Sequence, residues 1–414
     1  MELNSSCIVF YFPYRSIGGV SVLFLRIARM LCRDRKVILM DLVDGYMARH
    51  LPAGVDFVPI DQKHRLPADS VLVMQGCYPW RIPGFEKFPS SSRILFWNLH
   101  PDNFFPHLFY GMRNHAIKRF IYLLCTYFRM KRGRKFIDHL IERNSLQFMD
   151  AANFMGTCSH LGISPSKPKS YLRIMTGDPM PIKRATKNYE SSSLRRFGWL
   201  GRIDDFKTPI LMHVLLRLSQ LKLENMEFVV IGSGGDLEKV RSFANDLKEM
   251  KVEFVGEVPF EEATLHISRL DLLFAMGTSA LEGAKQSVPT VLTDYSFDAI
   301  KGLYRFQMIY QKEGYSVGER IASDHLESEC SLNSLIEEVC NHRELHGQKC
   351  YDYWKENFSP EVFLREFPPI LERALMTCGE VVESGIHRAD FITRLVYGIH
   401  KLSGKSRPRE GWAY

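Results

Sequence analysis

Short apolar runs separated by segments of helical spacing recur along this chain, and that alternation constrains its fold more than any other feature. CIVFYFPY (7–14), KVILMDLV (36–43), VDFVPI (55–60), SVLVMQG (70–76), RILFWNLH (93–100) and FMDAANFMGT (148–157) read as buried strands. Each is rich in β-branched or aromatic residues and ends at a turn or polar residue. SVLFLRIARMLCRD (21–34) sits between the first two with its apolar residues at helical spacing. Strand, helix, strand in that order requires a parallel sheet with helices on its faces. A second series follows: FGWLG (197–201), EFVVIG (227–232), EFVG (253–256), LDLLFAMG (270–277) and VPTVLTD (288–294), with helices expected around 209–220, 236–249, 261–268 and 279–286.

The expected division is an α/β domain over 1–180, a polar linker over 181–196, a second α/β domain over 197–358, and a helix with a basic tail over 359–414. Ser359-Pro360-Glu361 supplies an N-cap, a first-turn proline and an acid, so a helix starts there, with Pro368-Pro369 expected to kink or end it. Two such domains commonly take a ligand in the cleft between them, at the carboxyl ends of the strands.

Composition removes other classes. Apolar residues are 45% and charged residues 24%, which excludes disorder and collagen-like structure. FIYLLCTYF (120–128) is about half the roughly 20 residues a membrane-spanning helix needs. The first residues carry no basic n-region, so no cleaved signal peptide is expected. Nine scattered cysteines form no CxxC pair, and free thiols in a reducing cytosol are expected. There is no HExxH, and no metal or other cofactor is expected. A net charge of +7 is modest for this length and gives no reason to expect nucleic-acid binding.

Several segments could carry chemistry. Gly18-Gly19 lies between the first strand and its helix, where it either lets a ligand approach backbone and helix N-terminus or simply makes a tight turn. IGSGGDLE (231–238), with Gly232, fails the GxGxxG pattern at Leu237, leaving a turn that lines a nucleotide pocket or is structural only. In LGRIDDFK (200–207), Arg202 and Lys207 suit a diphosphate, while Asp204 and Asp205 offer them local pairing. In GTSALEGAKQS (277–287), Gly277, Thr278 and Ser279 precede a helix. Ser279 and Glu282 make the S-x-x-E of a capping box; alternatively, the 278–280 amides take phosphates and Glu282 a ribose. His100 ends a strand and can meet a sugar hydroxyl, or be an ordinary core or surface histidine.

In this order the segments resemble the family-four glycosyltransferases of the GT-B fold, over most of residues 8–360: Gly-Gly after the first strand, His100, GRIDDFK, VVIGSGG, VEFVGEVP and LEGAKQSVPTVL. The resemblance implies two Rossmann-like doubly wound domains facing a cleft. It places Gly19 near the donor's diphosphate and the acceptor, His100 on the transferred sugar, Arg202 and Lys207 on the diphosphate leaving group, and Glu282 on the ribose. It also implies metal-independent transfer from a nucleotide diphosphate sugar to a glycan or lipid-linked acceptor, with retention of anomeric configuration. The family's Glu-x7-Glu pair is not kept, because its first position falls on Phe274. AMGTSALEGA then reads as a variant whose backbone and Thr278 and Ser279 hydroxyls face the donor sugar. Alternatives of the same fold are a sugar-nucleotide epimerase and an inactive homologue serving in assembly.

From Asn103 to Ile137 the chain has no Asp or Glu and eight Lys or Arg, interleaved with aromatics. This reads either as a solvated face or as an interfacial helix and basic loop, with Lys131, Arg132, Arg134 and Lys135 on anionic lipid. A peripheral enzyme at the inner face of the cytoplasmic membrane is the expectation that follows.

Overall fold

In the computed structural model of the chain, the residues described are 7–104, 130–163, 170–180, 195–223, 225–247, 250–322, 326–327, 332–389, 391 and 394. They divide into two compact units: residues up to Ile174 with those from Phe363 onward, and Met175–Val362.

The first unit is built on β1 (Ile8–Tyr11), β2 (Val37–Asp41), β3 (Asp56–Pro59), β4 (Val71–Gln75), β5 (Arg93–Asn98) and β6 (Leu146–Phe148). All pair in parallel in the order β3-β2-β1-β4-β5-β6. β1, β2 and β4 are buried at every residue, as unbroken apolar runs require when helices cover both faces. Helices α1 (Gly19–Leu31) and α2 (Tyr46–Arg49) follow β1 and β2; α3 is described over 130–142, and α4 (Ala151–Leu161) follows β6. The expected strand over 148–157 is corrected here: only its first residue belongs to β6, and the rest is mostly α4. Asp150 is the reason, since its carboxylate accepts from the Asn153 N–H at 2.7 Å and caps the helix.

The second unit holds β7 (Arg195–Leu200), β8 (Met226–Ile231), β9 (Lys251–Gly256), β10 (Leu272–Ala275), β11 (Thr290–Leu292) and β13 (Gln307–Met308), in the order β13-β11-β10-β7-β8-β9. All neighbours are parallel except β11 with β13. A small antiparallel pair, β12 (Leu303–Tyr304) with β14 (Leu326–Glu327), stands apart. Helices α5 (Thr208–Gln220), α6 (Leu237–Asp246), α7 (Phe260–Ser268) and α8 (Thr278–Lys285) connect the parallel strands, and α9 (Leu332–Asn341) and α10 (Arg343–Phe358) follow. Both units thus use one strand order, with the connection reversing beside the first strand of each sheet.

The chain then re-enters the first unit through α11 (Pro360–Arg373) and α12 (Cys378–Glu383). The prolines Pro368 and Pro369 lie inside α11 rather than ending it. They deprive the carbonyls of Leu364 and Arg365, and both residues are exposed, so water can take those bonds. No helix among the described residues is long and apolar enough to cross a membrane. The tail 401–414 and the linker residues 181–194 lie outside the described residues.

Candidate functional site

In doubly wound sheets, ligands bind beyond the carboxyl ends of the strands where the order reverses. In the second unit that point lies between β7 and β10, and the loops leaving them carry Arg202, Lys207 and Gly277–Ser279. Gly201, directly after β7, brings two of these groups to one place with Trp199 of β7. A Cβ on Gly201 would stand 3.5 Å from Lys207 Nζ, 3.5 Å from Trp199 Nε1 and 3.9 Å from Ser279 Oγ. The glycine leaves that volume open, and an ammonium, an indole N–H and a hydroxyl face it.

Lys207 is half-buried, and desolvation, with the Arg202 charge beside it, pushes its pKa down to about 8. Among the described residues no carboxylate forms an ion pair with it. At the amino end of the same sheet the cations are neutralised: Arg196 and Lys251 meet Glu227 at 2.9 and 2.5 Å. Arg202 takes the local pairing available to it, with Asp204 at 3.0 Å, and its side chain stays mostly exposed. That pair holds the guanidinium beside Lys207 and leaves it reachable from solvent.

Gly232 serves the same loop. Its φ is +133°, and a Cβ there would lie 2.2 Å from the Gly201 carbonyl oxygen. The turns after β7 and β8 therefore pack backbone on backbone, with the Gly201 N–H donating to Ile231 O (3.0 Å) and the Ile203 N–H to Ser233 O (2.9 Å). Gly232 positions the loop of Arg202 from behind.

The helix α8 begins two residues earlier than a Ser279–Glu282 capping box requires. Gly277 is its N-cap, at φ +64°, so Ser279 is already a helical residue, and no side chain caps the end. The N-terminal amides and the Thr278 and Ser279 hydroxyls are left at the switch point. Glu282 is buried inside the helix and pairs with buried Lys285 at 2.5 Å, with the Phe260 ring 4.8 Å from that ammonium. Phe274, eight residues before Glu282, is wholly buried in β10, so the position of the missing glutamate lies in the core.

In the first unit, Gly18 is the N-cap of α1, and Ser21 closes the turn by accepting from the Gly18 N–H (3.1 Å) and donating to its carbonyl (2.9 Å). A Cβ on Gly19 would meet nothing within 4 Å, so the chain itself does not require glycine there. The loop before Gly18 is organised by Asp41, which no motif of the sequence marks. Asp41, fully buried at the end of β2, accepts from the N–H groups of Tyr14, Leu42, Met47 and Ala48 at 2.9, 2.7, 2.9 and 3.4 Å. Burial nevertheless holds its pKa above the ordinary 3.8. Its signal in the sequence was an acid closing an apolar strand, with Gly45 packed against it.

His100 follows β5 and is exposed to solvent. Its Nδ1 accepts from the Asp102 N–H at 3.1 Å, which fixes the neutral tautomer with the proton on Nε2. Desolvation lowers its pKa, outweighing the Asp102 charge. At neutral pH His100 is therefore a hydrogen-bond donor through Nε2.

Of the basic cluster, Arg132 donates to the carbonyls of Arg388 (2.9 Å) and Gly385 (2.6 Å) and lies over the Trp80 ring. Arg134 donates to the Leu161 carbonyl at the end of α4 (2.9 Å). Both guanidiniums thus hold backbone, while Lys131 and Lys135 are exposed; residues 105–129 of the basic segment lie outside the described residues. Among the described residues no three His, Cys, Asp or Glu gather in a way that could hold a metal.

No protein family and no curated protein matches this sequence. Solved structures do. A glycosyltransferase from Rickettsia africae ESF-5 superposes with a TM-score of 0.58 at 12% identity, covering 90% of this chain and 99% of that one. HepE from Anabaena, in complex with UDP and glucose, superposes with a TM-score of 0.54 at 10% identity, covering 88% and 99%. The same HepE with UDP-glucose gives the same values. The fold is the two-domain α/β GT-B architecture of these proteins.

Proposed function

We propose that this chain is a glycosyltransferase that moves a sugar from a nucleotide diphosphate sugar to a glycan or lipid-linked acceptor. The observation that carries the reading is the cluster around Gly201, where Lys207, Ser279 and an indole N–H face one open point at the switch of the second sheet, with Arg202 beside them. As the glycosidic bond to the donor breaks, negative charge gathers on the departing nucleoside diphosphate. An ammonium and a guanidinium at that place stabilise the charge where it develops, and preorganised groups of this kind contribute roughly 2–4 kcal/mol each. In this reading two cations do the work a metal ion would otherwise do. Glu282 holds the nucleotide ribose, and the amides of α8 with the Thr278 and Ser279 hydroxyls face the phosphates and the donor sugar. Gly18-Gly19 leaves room for the donor diphosphate and acceptor, and His100 donates through Nε2 to a sugar hydroxyl.

The likeness of fold to a protein seen with UDP-glucose supports a nucleotide-sugar donor. Transfer with retention follows from the resemblance to family four, and the core position of Phe274 leaves that outcome without the family's first glutamate. The cytoplasmic membrane face is the proposed working place, with Lys131, Arg134 and Lys135 exposed in the described basic cluster and Arg132 and Arg134 tied to backbone.

Incubating the protein with UDP-, GDP-, CDP- and dTDP-sugars, with and without lipid-linked and soluble glycan acceptors, tests the proposal. Acceptor-dependent release of one nucleoside diphosphate is expected, together with a product whose anomeric proton coupling matches the donor's. Interconversion of the sugar without an acceptor would replace this reading by an epimerase, and silence across the panel by an inactive homologue.

A further inference from the structure

The site around Gly201 contains one group that neither a sequence motif nor the fold assigns. Trp199 lies in β7 two residues before Gly201, and its Nε1 stands 3.5 Å from where a Gly201 Cβ would be. Its side chain is wholly buried, yet among the described residues Nε1 has no hydrogen-bond partner. An indole N–H can only donate, and buried donors in folded proteins are almost always paired. This chain observes the rule at two other buried tryptophans: Trp97 Nε1 donates to Leu172 O at 2.8 Å and Trp354 Nε1 to Thr176 Oγ1 at 2.7 Å. Trp199 departs from it at the place where Gly201 withholds a side chain and where Lys207 Nζ stands equally near.

We propose that Trp199 donates its indole N–H to a phosphate oxygen of the nucleoside diphosphate, as a third positioning group beside Lys207 and Ser279. The inference rests on the transferase reading and deepens it. The open point is faced by an ammonium and an indole N–H, neither of which can accept, and by a hydroxyl that can turn to donate. Such a set is complementary to an oxygen with several lone pairs and negative charge, which a diphosphate supplies and an uncharged sugar hydroxyl does not. The rigid, buried indole also fixes a direction. Lys207 is a mobile point charge, so Trp199 selects which oxygen the ammonium meets.

Five tryptophans make the indole region of a proton–nitrogen correlation spectrum simple to read. In the full-length protein, adding UDP or GDP should move the Trp199 indole signal, identified by its loss in Trp199→Phe, far more than the others. Inorganic pyrophosphate should move the same signal, and uridine or guanosine should leave it in place. Trp199→Phe keeps the buried ring and removes only the donor. Its affinity for the nucleoside diphosphate should fall about tenfold or more, as for other hydrogen bonds to charged groups, with nucleoside affinity unchanged. A bound diphosphate that leaves the wild-type signal unmoved would overturn the inference and spare the transferase reading, as would wild-type affinity in a folded variant. An indole signal that responds no more than to water exchange would assign the N–H to a buried water. Failure of the wild type to bind any nucleoside diphosphate would overturn the transferase reading and this inference together.

Discussion

Lys207 carries a pH dependence whose sign can be worked out from its surroundings. Desolvation and Arg202 bring its pKa to about 8 in the free protein, so it is largely charged at neutral pH and loses its proton well below an ordinary lysine. An anion beside it favours the ammonium, so nucleoside diphosphate affinity should be flat below about pH 7.5 and weaken above 8, by up to tenfold per pH unit. Lys207→Arg should abolish that limb, because a guanidinium stays charged throughout. Calorimetric titrations between about pH 7 and 9.5 decide it. For the free protein the linkage runs the other way. The folded state gives up this proton first, so the contribution of Lys207 to stability rises with pH from about 8 towards the ordinary 10.5.

At the scale of elements, α8 shows where the sequence was legible and where it was not. Its apolar spacing and the glycine before it were readable, and the helix was expected within one residue of where it lies. The S-x-x-E pattern misled because a cap depends on which residue leaves helical geometry first, and Gly277 at φ +64° does so before Ser279 can. The burial of Glu282 was invisible for a related reason: Lys285 lies one turn on, and only the packed helix takes both out of water. The same limit hid α4, whose first turn continues the apolar run of β6, and Trp199, whose missing partner is a property of three dimensions. By contrast, Gly18, Arg202, Lys207 and Gly277 lie in the connections between a strand and the helix that follows it, and those connections can be read from hydrophobic runs alone. The buried pair makes a prediction for α8. Lys285→Met leaves Glu282 buried without that partner, which should cost about 3–5 kcal/mol of stability. Adding Glu282→Gln should return most of the loss, read by denaturant unfolding. If Glu282 also holds the ribose, Glu282→Gln alone should weaken nucleoside diphosphate binding. An unchanged dissociation constant would leave it a structural residue.

For the whole molecule, the decisive feature is that the first unit is not continuous in sequence. Residues 359–414 read as an appended helix and tail, yet those from Phe363 onward belong to the first unit. The attachment is extensive. Phe363 and Phe367 of α11 stack on Trp97 and Phe10, and the Ile94 N–H donates to the Met376 carbonyl at 2.8 Å. Arg93 donates to the carbonyls of Leu371, Glu372 and Ala374 at 3.0, 3.2 and 3.2 Å, closing the end of α11. Beyond it, Thr377 and Glu380 form a reciprocal cap on α12, and Glu380 pairs with Arg143 at 2.6 Å. Met376, Cys378, Val381 and Ile386 then enter the core of the first sheet. Fully burying an apolar side chain of this size is worth about 1.5–3 kcal/mol, so removing the segment costs on the order of 5–10 kcal/mol before hydrogen bonds are counted. Domains of this size are stable by only about 5–15 kcal/mol. A fragment ending at Ile174 should therefore fail to unfold cooperatively on heating, whereas the contiguous fragment from Met175 to Val362 should unfold cooperatively on its own. Joining residues 363–389 to the first fragment through a flexible linker should restore its transition. A sharp thermal transition in the short fragment would show instead that the returning segment rests on a core that is already complete.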